Sequence, residues 1–370
     1  MNQFSLPLPE RIARHIRQDV VSMHAYAVQQ STGLVKLDAM ENPHRLPEPL
    51  QQELGRRLGA LALNRYPGTR VHDLRQALKA HAQVPAGFDL MLGNGSDELI
   101  SLLAMACDVP GATILAPVPG FVMYAMSAQL QGLRFVGVPL TADFELDPAA
   151  MLQAIKQHQP SIVYLAYPNN PTANLWDDAA VESIIAAAPG FAVIDEAYQP
   201  FAGRSYIDRL PRHPHVLLMR TMSKFGLAGV RIGYLIGPEA LVAEVDKVRP
   251  PYNVSVLNAE CALFALEHRD TFAAQAREIV AQRAWLVEQL SALPGVQVFR
   301  SDANMILVRL PSGAQGGSEA AAAAFAGMRA RGVLVKNVSG LHPLLANCLR
   351  LTVGLAEENR AMLATLKECL

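Results

Sequence analysis

Thr221-Met222-Ser223-Lys224 follows the apolar run Val216-Leu217-Leu218-Met219 and precedes Phe225-Gly226-Leu227-Ala228-Gly229. The run reads as a buried strand and the glycines after it as an irregular loop. Lysine is almost never fully buried without a partner. Held in a dry site, its amine can lose its charge and act as nucleophile or base. Two hydroxyls, Thr221 and Ser223, stand beside it, and Arg231 follows seven residues later. Together they suit a phosphate anchored next to an amine. Taken alone, Ser-Lys is more simply a strand-end lysine whose stem packs while its head reaches water.

Other stretches carry complementary chemistry. Gly93-Asn94-Gly95-Ser96-Asp97-Glu98 lies between the apolar Leu90-Met91-Leu92 and the helical Leu99 to Cys107. A glycine-rich turn opening a helix presents free N–H groups to an anion. The simpler reading is a cap by Ser96 or Asp97. Asp195 ends the apolar run Phe191 to Ile194, and Asn169-Asn170-Pro171-Thr172 follows Ser161 to Ala166. Phe121 lies in the Pro/Gly loop after Thr113 to Ala116. A pyridine aldehyde phosphate would use all of these. Lys224 would carry the aldehyde as a Schiff base, and Asp195 would keep the ring nitrogen protonated. Asn170 and Tyr198 would donate to the ring hydroxyl, and Phe121 would stack on the ring. Ser96 and Asp97 through their N–H groups, with Thr221, Ser223 and Arg231, would hold the phosphate. Singly, each has a plainer role: Asp195 as a turn former, Asn-Pro as a turn, Phe121 as core.

The elements that must position these residues alternate. Helices are predicted over Pro49–Leu58, Val71–His81, Val122–Gln131, Pro148–Gln157 and Asp177–Ala188, with strands over Thr113–Ala116, Arg134–Val138, Ser161–Ala166, Phe191–Ile194, Val216–Met219 and Ile232–Ile236. Such alternation implies an α/β fold, a mostly parallel sheet with helices on both faces. Ligands then bind beyond the strand carboxyl ends, where Asn170, Asp195 and Lys224 all fall. A short helical piece, Ile12 to Asp19, precedes this region. After it, Thr271 to Leu293 reads as a long helix leading into a smaller α/β domain. Its strands are predicted near 296–299, 304–310, 333–336 and 348–353, and its helices over 319–331 and 357–370. His213-Pro214-His215 reads as a solvated turn, and 311–317 as a loop.

A formal net charge of -1 gives no footprint for nucleic acid and no polybasic membrane patch. No apolar run reaches about 18 residues, so no membrane span is expected. The four cysteines are scattered without a CxxC pair, which speaks against a zinc site or a disulfide framework. A reducing cytoplasmic setting is the simplest account.

Asn-Asn-Pro-Thr, Asp-Glu-Ala-Tyr, and Ser-Lys followed by Gly-Leu-Ala-Gly-Val-Arg together resemble the fold-type I pyridoxal-phosphate aminotransferases. Order and spacing agree, with 25 residues from Asn170 to Asp195 and 29 more to Lys224. Within that superfamily the chain looks most like the histidinol-phosphate aminotransferases. The resembling pieces are Met40-Glu41-Asn42-Pro43, Arg65-Tyr66-Pro67, Gly95-Ser96-Asp97-Glu98 and Asn347 to Gly354. Three features depart from that pattern. Met40 stands where Asn is frequent and Lys336 where Arg is common, and the segment after Lys224 is one residue short.

The resemblance implies transamination of L-histidinol phosphate with 2-oxoglutarate in histidine biosynthesis, with pyridoxal 5'-phosphate as cofactor. Lys224 would be the Schiff-base lysine and proton-transfer base, and Asp195 the partner of the ring nitrogen. Tyr198 and Asn170 would bind the ring oxygen. Tyr66 would reach the cofactor phosphate of the other subunit, implying a homodimer with shared sites. Arg350 would hold the substrate's anionic end, and Tyr26 would belong to an N-terminal lid. Residues 1–44 would form an arm and part of the small domain, 45–270 the large cofactor-binding domain, and 271–370 the small domain. Two rivals keep the cofactor: an aromatic amino acid aminotransferase and a threonine-phosphate decarboxylase-like lyase. A non-enzymatic regulator would need a basic DNA-binding extension, which residues 1–42 do not offer.

Overall fold

The computed structural model describes residues 6–23, 29–311 and 319–370, so Tyr26 and nearly all of the 311–317 loop lie outside the described residues. Two compact units are present, 1–33 and 34–370. The first holds helices Leu8–His15 and Gln18–Val21 rather than one piece from Ile12 to Asp19. The break falls where Ile16 takes extended backbone, at φ -105° and ψ 133°.

In the second unit the first strand is β1 (Val35–Lys36). A seven-stranded sheet follows, made of β2 (Phe88–Gly93), β3 (Thr113–Val118), β4 (Arg134–Pro139), β5 (Ile162–Ala166), β6 (Phe191–Asp195), β7 (Val216–Thr221) and β8 (Gly233–Pro238). Their spatial order is β2-β8-β7-β6-β5-β3-β4. The ladders among β3 to β7 are parallel, while β8 runs antiparallel to both its neighbours. The mostly parallel sheet is therefore as the sequence predicts, with one reversed strand.

Every residue of β5 and β7 is buried, which is why these strands read as unbroken apolar runs rather than alternating ones. Successive side chains enter opposite cores. Val163, Leu165, Ile194 and Leu218 pack into one cluster with the helices Thr69–Ala82, Pro148–His158 and Asp178–Ala187. Ile162, Tyr164, Val193 and Leu217 enter the other, against the helices Ser96–Ala106 and Val122–Gln131. The pairing register aligns Ala166 with Asp195 and Asp195 with Met219. The carboxyl ends of β5 and β6 thus finish at one level, and β7 runs two residues further. From β3 the chain passes outward to β4 and then returns on the other side to β5. The connections diverge between β3 and β5, and the ligand crevice of such sheets opens there.

A four-stranded antiparallel sheet forms from β9 (Gln297–Val298), β10 (Met305–Arg309), β12 (Lys336–Asn337) and β13 (Cys348–Thr352), in the order β12-β13-β10-β9. The predicted strand 333–336 is in fact two pieces. Its first half, β11 (Val333–Leu334), pairs in parallel with β1, and Val335 separates it from β12. The long helix spans Arg269–Ser291 and buries Phe272, Ile279, Leu286 and Leu290. Two helices escape the sequence reading, Glu239–Asp246 and Val256–Glu267. The second buries Ala259, Glu260 and every residue from Ala262 to Leu266, so it lacks the polar face that makes a helix legible. His213 and His215 are not a solvated turn. Their Nε2 atoms lie 2.9 Å from Glu182 Oε2 and from the Ile185 carbonyl, respectively.

Candidate active site

A cavity of about 340 Å³ lies over the aligned strand ends. Ser96, Asp97, Phe121, Asn170, Asp195, Tyr198, Thr221, Ser223, Lys224 and Arg231 all line it. Ten of the residues singled out in the sequence are therefore brought together. Two others are not in its wall. Arg350 lies behind Asn170, donating from Nη1 to Asn170 Oδ1 at 2.7 Å. Tyr66 is 75% exposed and stacks on Tyr252 with ring centroids 4.2 Å apart. Tyr26 is outside the described residues.

One end of the cavity is an anion cradle. The helix Ser96–Ala106 starts from Gly95 at φ 86°, and no side chain caps it. Neither Ser96 nor Asp97 is the cap, so the first-turn N–H groups remain for a ligand. Gly233 stands opposite both Gly93 and Thr221. A Cβ there would come within 2.6 Å of the Gly95 carbonyl carbon and 2.7 Å of Ser96 N. Strand and helix start can approach this closely only with glycine. Arg231 closes the cradle, donating from Nη1 to Ser223 Oγ and from Nη2 to Asp97 Oδ2, both at 3.3 Å. Thr221 Oγ1 accepts the Ser223 N–H at 3.1 Å. Hydroxyls, guanidinium and helix dipole converge on one point.

The other end carries the titrating pair. Asp195 is 4% exposed, and burial pushes its carboxyl up to about 6. Two donors hold it back from rising further. Tyr124 Oη donates to Oδ2 at 2.7 Å and the Ala197 N–H to Oδ1 at 3.0 Å. Tyr124 is itself buried and stacked on Tyr164, with ring centroids 4.3 Å apart. Lys224 Nζ donates to the Ala39 carbonyl at 3.0 Å. Burial first, and repulsion from the Arg350 guanidinium second, lower this amine to about 8. Burial also raises the Tyr198 hydroxyl, so it stays a donor. Lys224 Nζ lies 5.8 Å from the Tyr198 ring centroid.

The sequence reading missed Tyr124 as the donor to Asp195. It stands three residues after Phe121, at the start of the helix Val122–Gln131, and spacing alone cannot tell it from a core aromatic. Ala39, Met40 and Glu41 also line the cavity. The Met40-Glu41-Asn42-Pro43 stretch marked the likeness without revealing that location.

The donor set fits a flat heterocyclic phosphate. The cradle takes an anion, and the buried acid at about 6 can pair with a ring nitrogen. The amine at about 8 is within reach of deprotonation near neutral pH.

The comparisons agree with this chemistry. A family model described as aminotransferase class I and II matches residues 32–366. The chain is 71% identical over 364 residues to the histidinol-phosphate aminotransferase of Methylibium petroleiphilum, covering 98% of this chain and 96% of that one. It is 70% identical over 366 residues to that of Polaromonas naphthalenivorans, covering 98% of each. Among solved structures it resembles histidinol-phosphate aminotransferase from Sinorhizobium meliloti in complex with pyridoxal-5'-phosphate. There the TM-score is 0.84 at 24% identity, over 96% of this chain and 97% of that one, a likeness of fold. The chain belongs to the class I and II aminotransferases and, within them, to the histidinol-phosphate aminotransferase family.

Two outcomes test the geometry. Gly233→Ala should push the cradle apart and weaken pyridoxal phosphate binding about tenfold or more, measured by titrating cofactor-free protein. Tyr124→Phe removes a hydrogen bond that favours the ionised carboxylate, so Asp195 should titrate higher than about 6. The acidic limb of kcat/KM against pH should then move up by about half to one unit.

Proposed function

We propose that this chain transaminates L-histidinol phosphate with 2-oxoglutarate, giving imidazole acetol phosphate and L-glutamate, with pyridoxal 5'-phosphate as cofactor. The observation that carries the reading is the meeting of Lys224, Asp195 and the anion cradle in one cavity. The relatives at 71% and 70% identity support the substrate.

When bound, the cofactor supplies a ring that draws off the electron pair left at the donor's Cα. Arg231, Thr221, Ser223 and the N–H groups of Ser96 and Asp97 anchor its phosphate. Asp195 holds a proton on the ring nitrogen, and Tyr124 keeps Asp195 ionised and aimed. Asn170 and Tyr198 would hold the ring oxygen, and Phe121 would cover the ring. Lys224 Nζ would take the proton from the donor's Cα and hold it for return; above about pH 8 the larger share of this amine is free to do so. Arg350 binds the phosphate of one substrate and a carboxylate of the other, since its planar fork suits both anions. That single cation lets two unlike substrates share the pocket in turn.

The active form is a homodimer, in which Tyr66 reaches the other subunit's cofactor phosphate. The exposed Tyr66–Tyr252 stack, with Leu63 at 65% exposure, supports this as apolar surface awaiting cover. Residues 45–270 act as the cofactor-binding domain and 271–370, with part of 1–44, as the smaller one. Among the described residues no helix is long and apolar enough to cross a membrane. Placement in the cytoplasm suits four cysteines that are all free.

Purified protein given histidinol phosphate and 2-oxoglutarate should release glutamate. Phenylalanine in place of histidinol phosphate should react far more slowly; the reverse preference would favour an aromatic aminotransferase. Release of carbon dioxide from threonine phosphate would mark a lyase. Lys224→Ala should lower turnover about a thousandfold or more and abolish the aldimine absorbance of the bound cofactor.

A further inference from the structure

Met40 holds a backbone conformation that side chains of its kind avoid. Its φ of 51° lies in the left-handed region, where Cβ crowds the following carbonyl oxygen. An unbranched apolar side chain offers no local hydrogen bond to offset this, so the surroundings must impose it. Two groups do. The Met40 N–H donates to Thr352 Oγ1 at 3.1 Å, and its carbonyl accepts from Asn304 Nδ2 at 3.0 Å. Asn304 is fully buried and Thr352 nearly so. Thr352 ends β13, Asn304 immediately precedes β10, and the two strands pair through Met305 and Thr352. Both clamps therefore come from one rigid ladder.

The clamp fixes the two carbonyls just before it. The Asp38 carbonyl accepts from Arg350 Nη2 at 2.7 Å. The Ala39 carbonyl accepts from Lys224 Nζ at 3.0 Å. The two cations on which the proposed chemistry turns thus rest on consecutive carbonyls of one strip. Hydrogen bonds from charged donors are short and strong, so displacing the strip displaces both cations.

We propose that Met40, Thr352 and Asn304 are positioning residues whose locked left-handed turn sets the resting places of Lys224 Nζ and the Arg350 guanidinium. This rests on the roles given to Lys224 and Arg350 under the proposed function. Thr352 and Asn304 act only through the strip. Other groups also face Lys224. Arg350 and Arg231 lower its proton affinity, while Glu41 and Asp97 raise it. Glu41 is in turn paired with Lys36, and the Tyr198 ring lies alongside. The Ala39 carbonyl adds a neutral acceptor that favours the ammonium form, and its loss lowers the amine further.

The test reads Lys224 directly in cofactor-free protein. Acetic anhydride labels free amines, and peptide mass spectrometry across about pH 6 to 10 gives the midpoint at Lys224. Thr352→Val and Met40→Val should each lower that midpoint by about half a unit or more. The first removes the acceptor of the Met40 N–H, and the second places a β-branched residue where φ is positive. In the holoenzyme both should lower kcat, through Lys224, and raise KM for histidinol phosphate, through Arg350. Met40→Asn tolerates the left-handed conformation and should keep the wild-type midpoint. Asn304→Leu should act as Thr352→Val does; if it does not fold, the nearly isosteric Thr352→Val still decides. Folded Thr352→Val and Met40→Val proteins with a wild-type Lys224 midpoint would overturn the proposal. A midpoint shift in the variants, together with wild-type enzyme that does not use histidinol phosphate, would sink the substrate reading while supporting the positioning one.

Discussion

Parallel pairing between β5, β6 and β7 is the constraint from which the site follows. Ladders that match Ala166 to Asp195 and Asp195 to Met219 leave no freedom in where the next residues emerge. A slip of one residue in any ladder would turn every side chain of that strand to the opposite face. Such a slip would also send apolar residues such as Val193 and Ile194 into the wrong core. The energy that holds the register is thus the burial of these strands, and the site inherits its geometry from it. Asn170, Asp195 and Lys224 need no mutual attraction to meet.

Burial has a second effect at the same edge. It works against charge on both ends of the proposed catalytic pair, raising Asp195 and lowering Lys224. Left to burial alone, the acid would be neutral and unable to hold a pyridinium. Tyr124 and the Ala197 N–H work against that tendency. Lys224 receives less help, since Arg350 and Arg231 both repel it. The site therefore supports one group in its charged state and leaves the other poised to lose its charge. Opposite treatment of acid and amine within one cavity is what general acid–base work at a ring requires.

Much of this was legible in the sequence. Continuous apolar runs ending in Asn, Asp or Lys announced the strands, and their alternation with amphipathic helices announced the sheet. Most of the ten candidate residues converge because they end or follow a strand or open a helix, positions that chain order alone can mark, while Arg231 leads into β8. What escaped has physical reasons. The helix Val256–Glu267 is buried over most of its length and so shows no polar face. The reversal of β8 depends on which edge the strand joins, and its apolar run reads the same in either direction. Tyr124 looks like core because it is core; only the distance to Asp195 gives it a role. The left-handed turn at Met40 is hidden because its causes, Thr352 and Asn304, lie more than 260 positions away in the chain.

The contact between Arg350 and Asn170 has a consequence for how the enzyme could be observed. One amide joins the cation proposed for the substrate's anionic end to the atom proposed to grip the ring oxygen. Pulling on the guanidinium would turn the amide, and turning the amide would alter electron density in a chromophore. Ligands of different length would then tint the protein differently before any bond is made or broken. The pocket would serve as its own optical ruler, with Asn170 as the pointer.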